Sequence, residues 1–205
     1  MYINDIDERV TSGILKFADD TKIYTCVQTV EAAMILQEDL NRLCSWSKDW
    51  LMLFNVDKCK CLHFGFNNIE FEYMLGNDTI SSCLEEKDLG ITVHHSLQTS
   101  SHCANIVKKA NQVLGIIRRT YDDKSKENIV QLYKSLVRPH LEYCVQAWRP
   151  YLQKDIDNIE KVQRRATKMI NGLSQLSYEE RLKRTNLMTL ELRRLRADLL
   201  EKSIR

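Results

Sequence analysis

The chain has 205 residues, of which 43% are hydrophobic and 28% charged, with a net charge of +2. This is an ordinary globular composition, enough for one domain or two small ones. No run of 18 apolar residues occurs and the opening Met1-Tyr2-Ile3-Asn4-Asp5 has neither a basic nor an apolar region, so no membrane span and no secretory leader are expected. Six Gly and two Pro leave little material for long loops, so helix should dominate. The seven Cys form an odd set, and Cys26, Cys44, Cys103 and Cys144 stand among apolar residues. They read as buried free thiols of a reducing compartment, an intracellular setting in nucleus or cytoplasm. Residues 151–205 hold 13 Lys or Arg against 8 Asp or Glu, a balance of +5, and the rest of the chain balances to −3. A basic rear suits either a phosphate backbone or a solvated helix face.

In chain order, Met1 to Val10 reads as an element entered partway, with no cap signal. Gly13 to Cys26 reads as a β-hairpin, with Ile14, Lys16 and Ala18 alternating against Leu15, Phe17 and Asp19. Its corner, Ala18-Asp19-Asp20, places two carboxylates side by side. Asp is common in turns because its side chain bonds its own backbone. Two carboxylates fixed by a sheet are also a hard oxygen site of the kind Mg²⁺ prefers.

Thr29 to Trp50 predicts a helix with Thr29 as N-cap and Glu31 in its first turn. Ala32, Ala33, Leu36, Leu40, Leu43, Trp46 and Trp50 form one stripe, with Glu38, Asp39, Arg42 and Lys48 outside it. Leu51 to Gly65 predicts a turn at Asn55 to Lys58 followed by a strand. Cys59, Cys61 and His63 suggest a metal, but no second ligand pair follows at zinc spacing. Ile69 to Val93 predicts short strands, with a hairpin turn at Gly76-Asn77-Asp78 and a strand over Asp88 to Val93. Gly90 inside that strand signals a bulge or close backbone approach.

Ser100 to Arg119 predicts a helix with Lys108, Lys109, Arg118 and Arg119 on it. Ser125 to Trp148 predicts another, kinked or broken at Pro139. His140 within it has no nearby nucleophile and reads as a packed or capping residue. Leu152 to Ile170 and Tyr178 to Asn186 predict amphipathic helices, separated by Asn171-Gly172, with a capping box at Ser177 and Glu180. Gln163-Arg164-Arg165-Ala166 is the densest basic turn. Leu187 to Ile204 predicts a last helix.

Several of these segments together resemble the reverse transcriptases of non-LTR retrotransposons of the jockey type. Phe17-Ala18-Asp19-Asp20, followed by Thr21, is similar to their aromatic-x-Asp-Asp motif, and Tyr2 to Ile6 to the segment before it. Asn55 to Lys58 resembles the motif after the palm helix. Leu89-Gly90-Ile91 resembles the palm-to-thumb transition, and Leu136 to Tyr143 with Trp148 the region beyond the palm. The resemblance implies an α+β fold. A small antiparallel palm-type sheet with a packed helix would occupy residues 1–98, and an all-helical thumb-like bundle with a C-terminal extension residues 99–205.

It also implies an RNA-directed DNA polymerase using two-metal nucleotidyl transfer, with an RNA template, a DNA primer and deoxynucleoside triphosphates as partners. Asp19 and Asp20 would be catalytic Mg²⁺ ligands and Lys58 a proton donor near the triphosphate. Lys108, Lys109, Arg118, Arg119, Arg164 and Arg165 would meet nucleic acid. The family's fingers, first catalytic Asp, Pro-Gln-Gly segment and endonuclease would lie before Met1. This chain is therefore expected to bind Mg²⁺ weakly or not at all and to lack independent polymerase activity. The alternative from a different class is a non-catalytic helical module that holds nucleic acid or a protein.

Overall fold

A computed structural model describes residues 2–204. The chain divides into two compact units. One comprises the residues up to Glu86 with His94–Leu97, and the other Lys87–Val93 with everything from Gln98 onward.

In the first unit a 3₁₀ turn, Tyr2–Arg9, precedes strands β1 (Gly13–Phe17) and β2 (Asp20–Tyr24). These pair antiparallel from Gly13 opposite Tyr24 to Phe17 opposite Asp20, leaving Ala18 and Asp19 as a two-residue loop. Helix α1 (Val30–Asp49) follows, and the Thr29 hydroxyl accepts the Ala32 N–H as its N-cap. Two apolar clusters form along α1. Leu43 and Trp46 bury with Ile6 against Ile14 and Ile23 of the hairpin. Ala33 buries with Tyr73, Leu75 and Ile80, flanked by Leu36 and Leu40. Trp50, expected in the stripe, is exposed because it lies past the last turn.

Instead of one antiparallel sheet, the strands among the described residues form four separate two-stranded pairs. Strands β4 (Met74–Leu75) and β5 (Asp78–Thr79) make a tight hairpin across Gly76 and Asn77. The Gln37 side-chain amide of α1 donates to the Met74 carbonyl and accepts its N–H, standing in for a missing neighbour strand. Strands β3 (Lys60–Leu62) and β6 (Ser81–Cys83) pair parallel, because the chain loops back through β4 and β5 before it returns. The stretch Asp88 to Val93 is not one strand. β7 (Glu85–Asp88) and β8 (Ile91–His94) are joined at Leu89 and Gly90, whose φ values of 44° and 88° make a turn. Positive φ at both central residues is the signature of a type I′ hairpin connection.

The second unit is helical. Helix α2 (Ser100–Thr120), α3 (Lys126–Leu132), α4 (Arg138–Glu142), α5 (Val145–Trp148), α6 (Gln153–Lys168), α7 (Tyr178–Thr185) and α8 (Leu190–Ile204) surround one apolar cluster. Between α3 and α4 a π-helical stretch, Tyr133–Val137, absorbs the approach to Pro139, which sits in the first turn of α4. The Arg138 N–H reaches the Tyr133 carbonyl in the π register, and Pro139, which has no N–H to satisfy, follows it. The break falls instead at Cys144, in the left-handed region with φ of 50°.

The capping box at Ser177 and Glu180 is formed. Gln163, without exposed surface, links the core by accepting from the Tyr133 hydroxyl and donating to Tyr178 and to the Met188 carbonyl. Glu160 accepts from the Tyr178 hydroxyl and the Leu190 N–H. The thiols are all unpaired, and Cys103 is buried as expected, while Cys26 and Cys144 are exposed and Cys44 is half-buried. His140 is exposed rather than packed, since it lies on the outer side of the short α4.

Candidate carboxylate hairpin and nucleic-acid face

Two groups of predicted residues lie in the two units, and each is built by different local physics. In the first unit, Asp19 is the second residue of the β1–β2 loop and Asp20 opens β2 opposite Phe17. Both are exposed. No hydrogen bond or ion pair among the described residues ties either carboxylate. Ala18 carries φ of 54°, so the loop has its left-handed residue at the first central position, where Gly is preferred.

The hairpin is held at its base. Asp39 of α1, with no exposed surface, accepts the Thr11 N–H at 3.0 Å and the Ser12 N–H at 2.8 Å, and its oxygens also take the Thr11 hydroxyl. Arg42 pairs with it at 3.2 Å. Burial alone would raise the Asp39 pKa, but the hydrogen bonds from Ser12 and Thr11 outweigh burial and hold the carboxyl below its ordinary value. Lys16 of β1 also pairs with Asp7 at 2.8 Å, and Trp46 donates its indole N–H to Asp5. Sequence periodicity placed Asp39 outside the apolar stripe. Its role was missed because its partners lie nearly thirty residues away.

Lys58 ends a short 3₁₀ turn, Val56–Lys58, and is exposed. Among the described residues no hydrogen bond or ion pair joins it to Asp19 or Asp20. Among the described residues no group of three His, Cys, Asp or Glu side chains converges. Two adjacent carboxylates without a third anionic ligand do not make up the donor set of a two-metal centre. Cys61 and His63 do approach, with Sγ and Nε2 at 3.5 Å, but Cys59 does not join them and its thiol bonds the Asn55 carbonyl.

In the second unit, α2 carries Lys108, Lys109, Arg118 and Arg119 and not one Asp or Glu. It packs against α6, and the Arg165 Nη1 donates to Asn111 Oδ1 of α2 at 2.9 Å. This contact fixes which sides of the two helices adjoin. On α6 the positions Lys154, Asn158, Lys161, Arg165 and Lys168 recur at steps of four and three, and all are exposed. At 100° per residue they form a single stripe about 21 Å long. Of the acids on α6, Asp155 and Glu160 are buried, and only Asp157 is exposed.

On α2, Lys108, Asn111, Gly115 and Arg118 with Arg119 follow the same spacing beside it. A Cβ at Gly115 would meet nothing within 4 Å, so the surface is open there. Neither helix contains Phe, Tyr or Trp.

Lys108, Arg118, Arg119 and Arg165 thus share one face. Lys109 lies round the far side of α2, where its charge acts on His102. Arg164 leaves the face to stack on the Tyr178 ring, 4.5 Å from its centroid. Lys154, Lys161 and Lys168 were missed, although their spacing of four and three was present in the sequence.

Comparison with known proteins finds two curated relatives. The chain is 26% identical over 175 residues to the RNA-directed DNA polymerase from mobile element jockey of Drosophila melanogaster, covering 83% of this chain and 19% of that protein. It is 26% identical over 172 residues to the corresponding protein of Drosophila funebris, covering 78% of this chain and 18% of the relative. No family model matches. No solved structure matches. The jockey-like reverse-transcriptase resemblance read from the motifs is therefore shown over most of the chain, which spans about a fifth of the length of these relatives.

Proposed function

We propose that this chain is a palm and thumb portion of a jockey-like RNA-directed DNA polymerase, and that what it does by itself is hold nucleic acid on the α2–α6 face. The observation that carries the reading is that face. It presents Lys108, Arg118, Arg119, Lys154, Lys161, Arg165 and Lys168, with Asp157 as its one exposed acid among the described residues. Cations that no ion pair neutralises release counterions when phosphates replace them, and this is the main source of sequence-independent affinity. The lack of aromatic side chains on both helices argues against base stacking and for backbone contact with a duplex, the RNA template paired to its DNA primer.

Asp19 and Asp20 are, in this reading, two of the Mg²⁺-binding carboxylates of nucleotidyl transfer with deoxynucleoside triphosphates, and Lys58 a proton donor. The bound metal would stabilise charge on the transferred phosphate. What the chain's own residues do is anchor the base of the hairpin that carries the pair, through Asp39 on Thr11 and Ser12. With no third ligand converging, the chain alone is proposed not to polymerise.

Titration of a labelled RNA–DNA hybrid with salt tests this. With about five phosphate contacts, affinity should fall by roughly 10²–10³ between 50 and 200 mM salt. Lys154→Glu, Lys161→Glu and Lys168→Glu together should flatten that slope, whereas Asp19→Asn with Asp20→Asn should leave binding unchanged. A slope that the triple variant does not change would remove the face from the account. Mg²⁺-dependent primer extension lost in the Asn variants would overturn the proposed inactivity.

A further inference from the structure

The Leu89–Gly90 turn is tied to the helical unit at two points. The Tyr143 hydroxyl donates to the Leu89 carbonyl at 3.1 Å. The Tyr143 ring covers Gly90 so closely that a Cβ there would lie 3.3 Å from it. On the strand leaving the turn, the Thr92 N–H donates to His102 Nδ1 at 3.0 Å, and Asn105 donates to the Thr92 hydroxyl. The two ties are joined behind the turn. Trp148 donates its indole N–H to the Tyr143 carbonyl at 2.7 Å, and the His102 ring packs on Trp148 with centroids 4.8 Å apart. The loop of contacts closes from Leu89 through Tyr143, Trp148 and His102 to Thr92.

Two features show that this is more than packing. Leu89 holds a left-handed φ, a conformation unfavourable for a non-Gly residue that persists only where its surroundings over-determine it. His102 can accept from Thr92 only with Nδ1 unprotonated. Burial, with Lys109 behind it, disfavours the imidazolium, and Nε2 is left without a partner.

We infer that Tyr143 and His102 are positioning residues that latch the Leu89–Gly90 turn to α2 and to the α4–α5 corner, so that the turn is coupled to the nucleic-acid face. α2 carries both ends of that coupling, His102 in its first turn and Lys108, Arg118 and Arg119 further along.

Amide hydrogen exchange on the whole chain tests the latch. Tyr143→Phe keeps the ring and removes the donor. The amides of residues 87–93 should then exchange at least ten-fold faster, with those of Ala110, Leu114 and Ile117 unchanged. His102→Asn keeps an acceptor near the Nδ1 position and should preserve slow exchange at Thr92, whereas His102→Leu should not. No acceleration at 87–93 in Tyr143→Phe, or equal acceleration through α2, overturns the latch. Equal loss at Thr92 in both His102 variants reduces His102 to a packing residue and overturns its part.

The coupling rests on the nucleic-acid reading. An RNA–DNA hybrid should slow exchange at 87–93 in the parent chain and not in Tyr143→Phe. If the hybrid does not bind, that reading fails while the ligand-free exchange still decides the latch. If it binds and 87–93 is unmoved, the coupling is wrong.

Discussion

Asp39 sits in an environment unlike the one its residue type predicts. A carboxylate with no exposed surface needs compensation, and here the Thr11 and Ser12 backbone N–H groups, the Thr11 hydroxyl and Arg42 supply it. Those two backbone donors belong to the segment that enters β1, so this one side chain fixes where the carboxylate hairpin starts. Asp39→Asn keeps the shape and removes the charge, while placing an NH₂ group opposite N–H donors. Hydrogen bonds to charged groups contribute about 1.5–3 kcal/mol each, and the variant should lose roughly 2–4 kcal/mol in urea denaturation.

The pH dependence follows from the depressed folded pKa. Asp39's stabilisation is complete above the unfolded carboxyl value of about 3.9 and is lost as pH falls through the lower folded value. Asp39→Asn should therefore show a shallower loss of stability in acid than the parent. An identical acid profile would mean that the carboxylate is not the charged form that holds Thr11 and Ser12.

At the scale of elements, the β1–β2 hairpin is under local strain. Ala18 takes a left-handed φ at a loop position that Gly fills without steric cost. Relief of that strain exceeds the added chain entropy of Gly. Ala18→Gly should raise stability by about 0.5–1 kcal/mol, read as a shift in denaturation midpoint with unchanged slope. A lower midpoint would mean that neighbouring side chains, and not the backbone, set the turn.

The helices show what local sequence specifies well. Thr29 and the Ser177–Glu180 box act within one turn of their own residues, and both were legible. The π-helical stretch Tyr133–Val137 and the left-handed Cys144 were not. Pro139 signalled a break, but the core positions of Tyr133, Val137, Leu141 and Trp148 decided where it fell. The Leu89–Gly90 turn was hidden for a similar reason, since Leu is a poor turn former and is held there by Tyr143 across the fold.

At the scale of the molecule, the carboxylate hairpin and the basic face differ in how far a linear reading reaches. Phe17 to Asp20 is a local pattern and could be found directly. The basic face needs two helices side by side, and only the Arg165–Asn111 contact shows which cations share it. The same contrast governs stability. Among the described residues, the helical unit buries one continuous cluster from Cys103 to Leu190, drawn from six of its seven helices and from the turns between them, with Leu182 of α7 packed against it. The first unit divides its apolar burial between two smaller clusters on α1 and leaves Leu15, Phe17 and Tyr24 exposed on one side of the hairpin.

Opening free energies rise with the apolar contact that must be broken, so exchange should be ordered accordingly. Amides of Ile106 to Ile117 in α2 should be the slowest in the chain, approaching the global unfolding free energy. Those of Gly13 to Tyr24 should be among the fastest of any paired strand. Asp39→Asn should accelerate the hairpin further and leave α2 untouched, because the two sets belong to separate cores. A hairpin protected as well as α2 would show that the small clusters beneath it hold it far more firmly than their buried area implies.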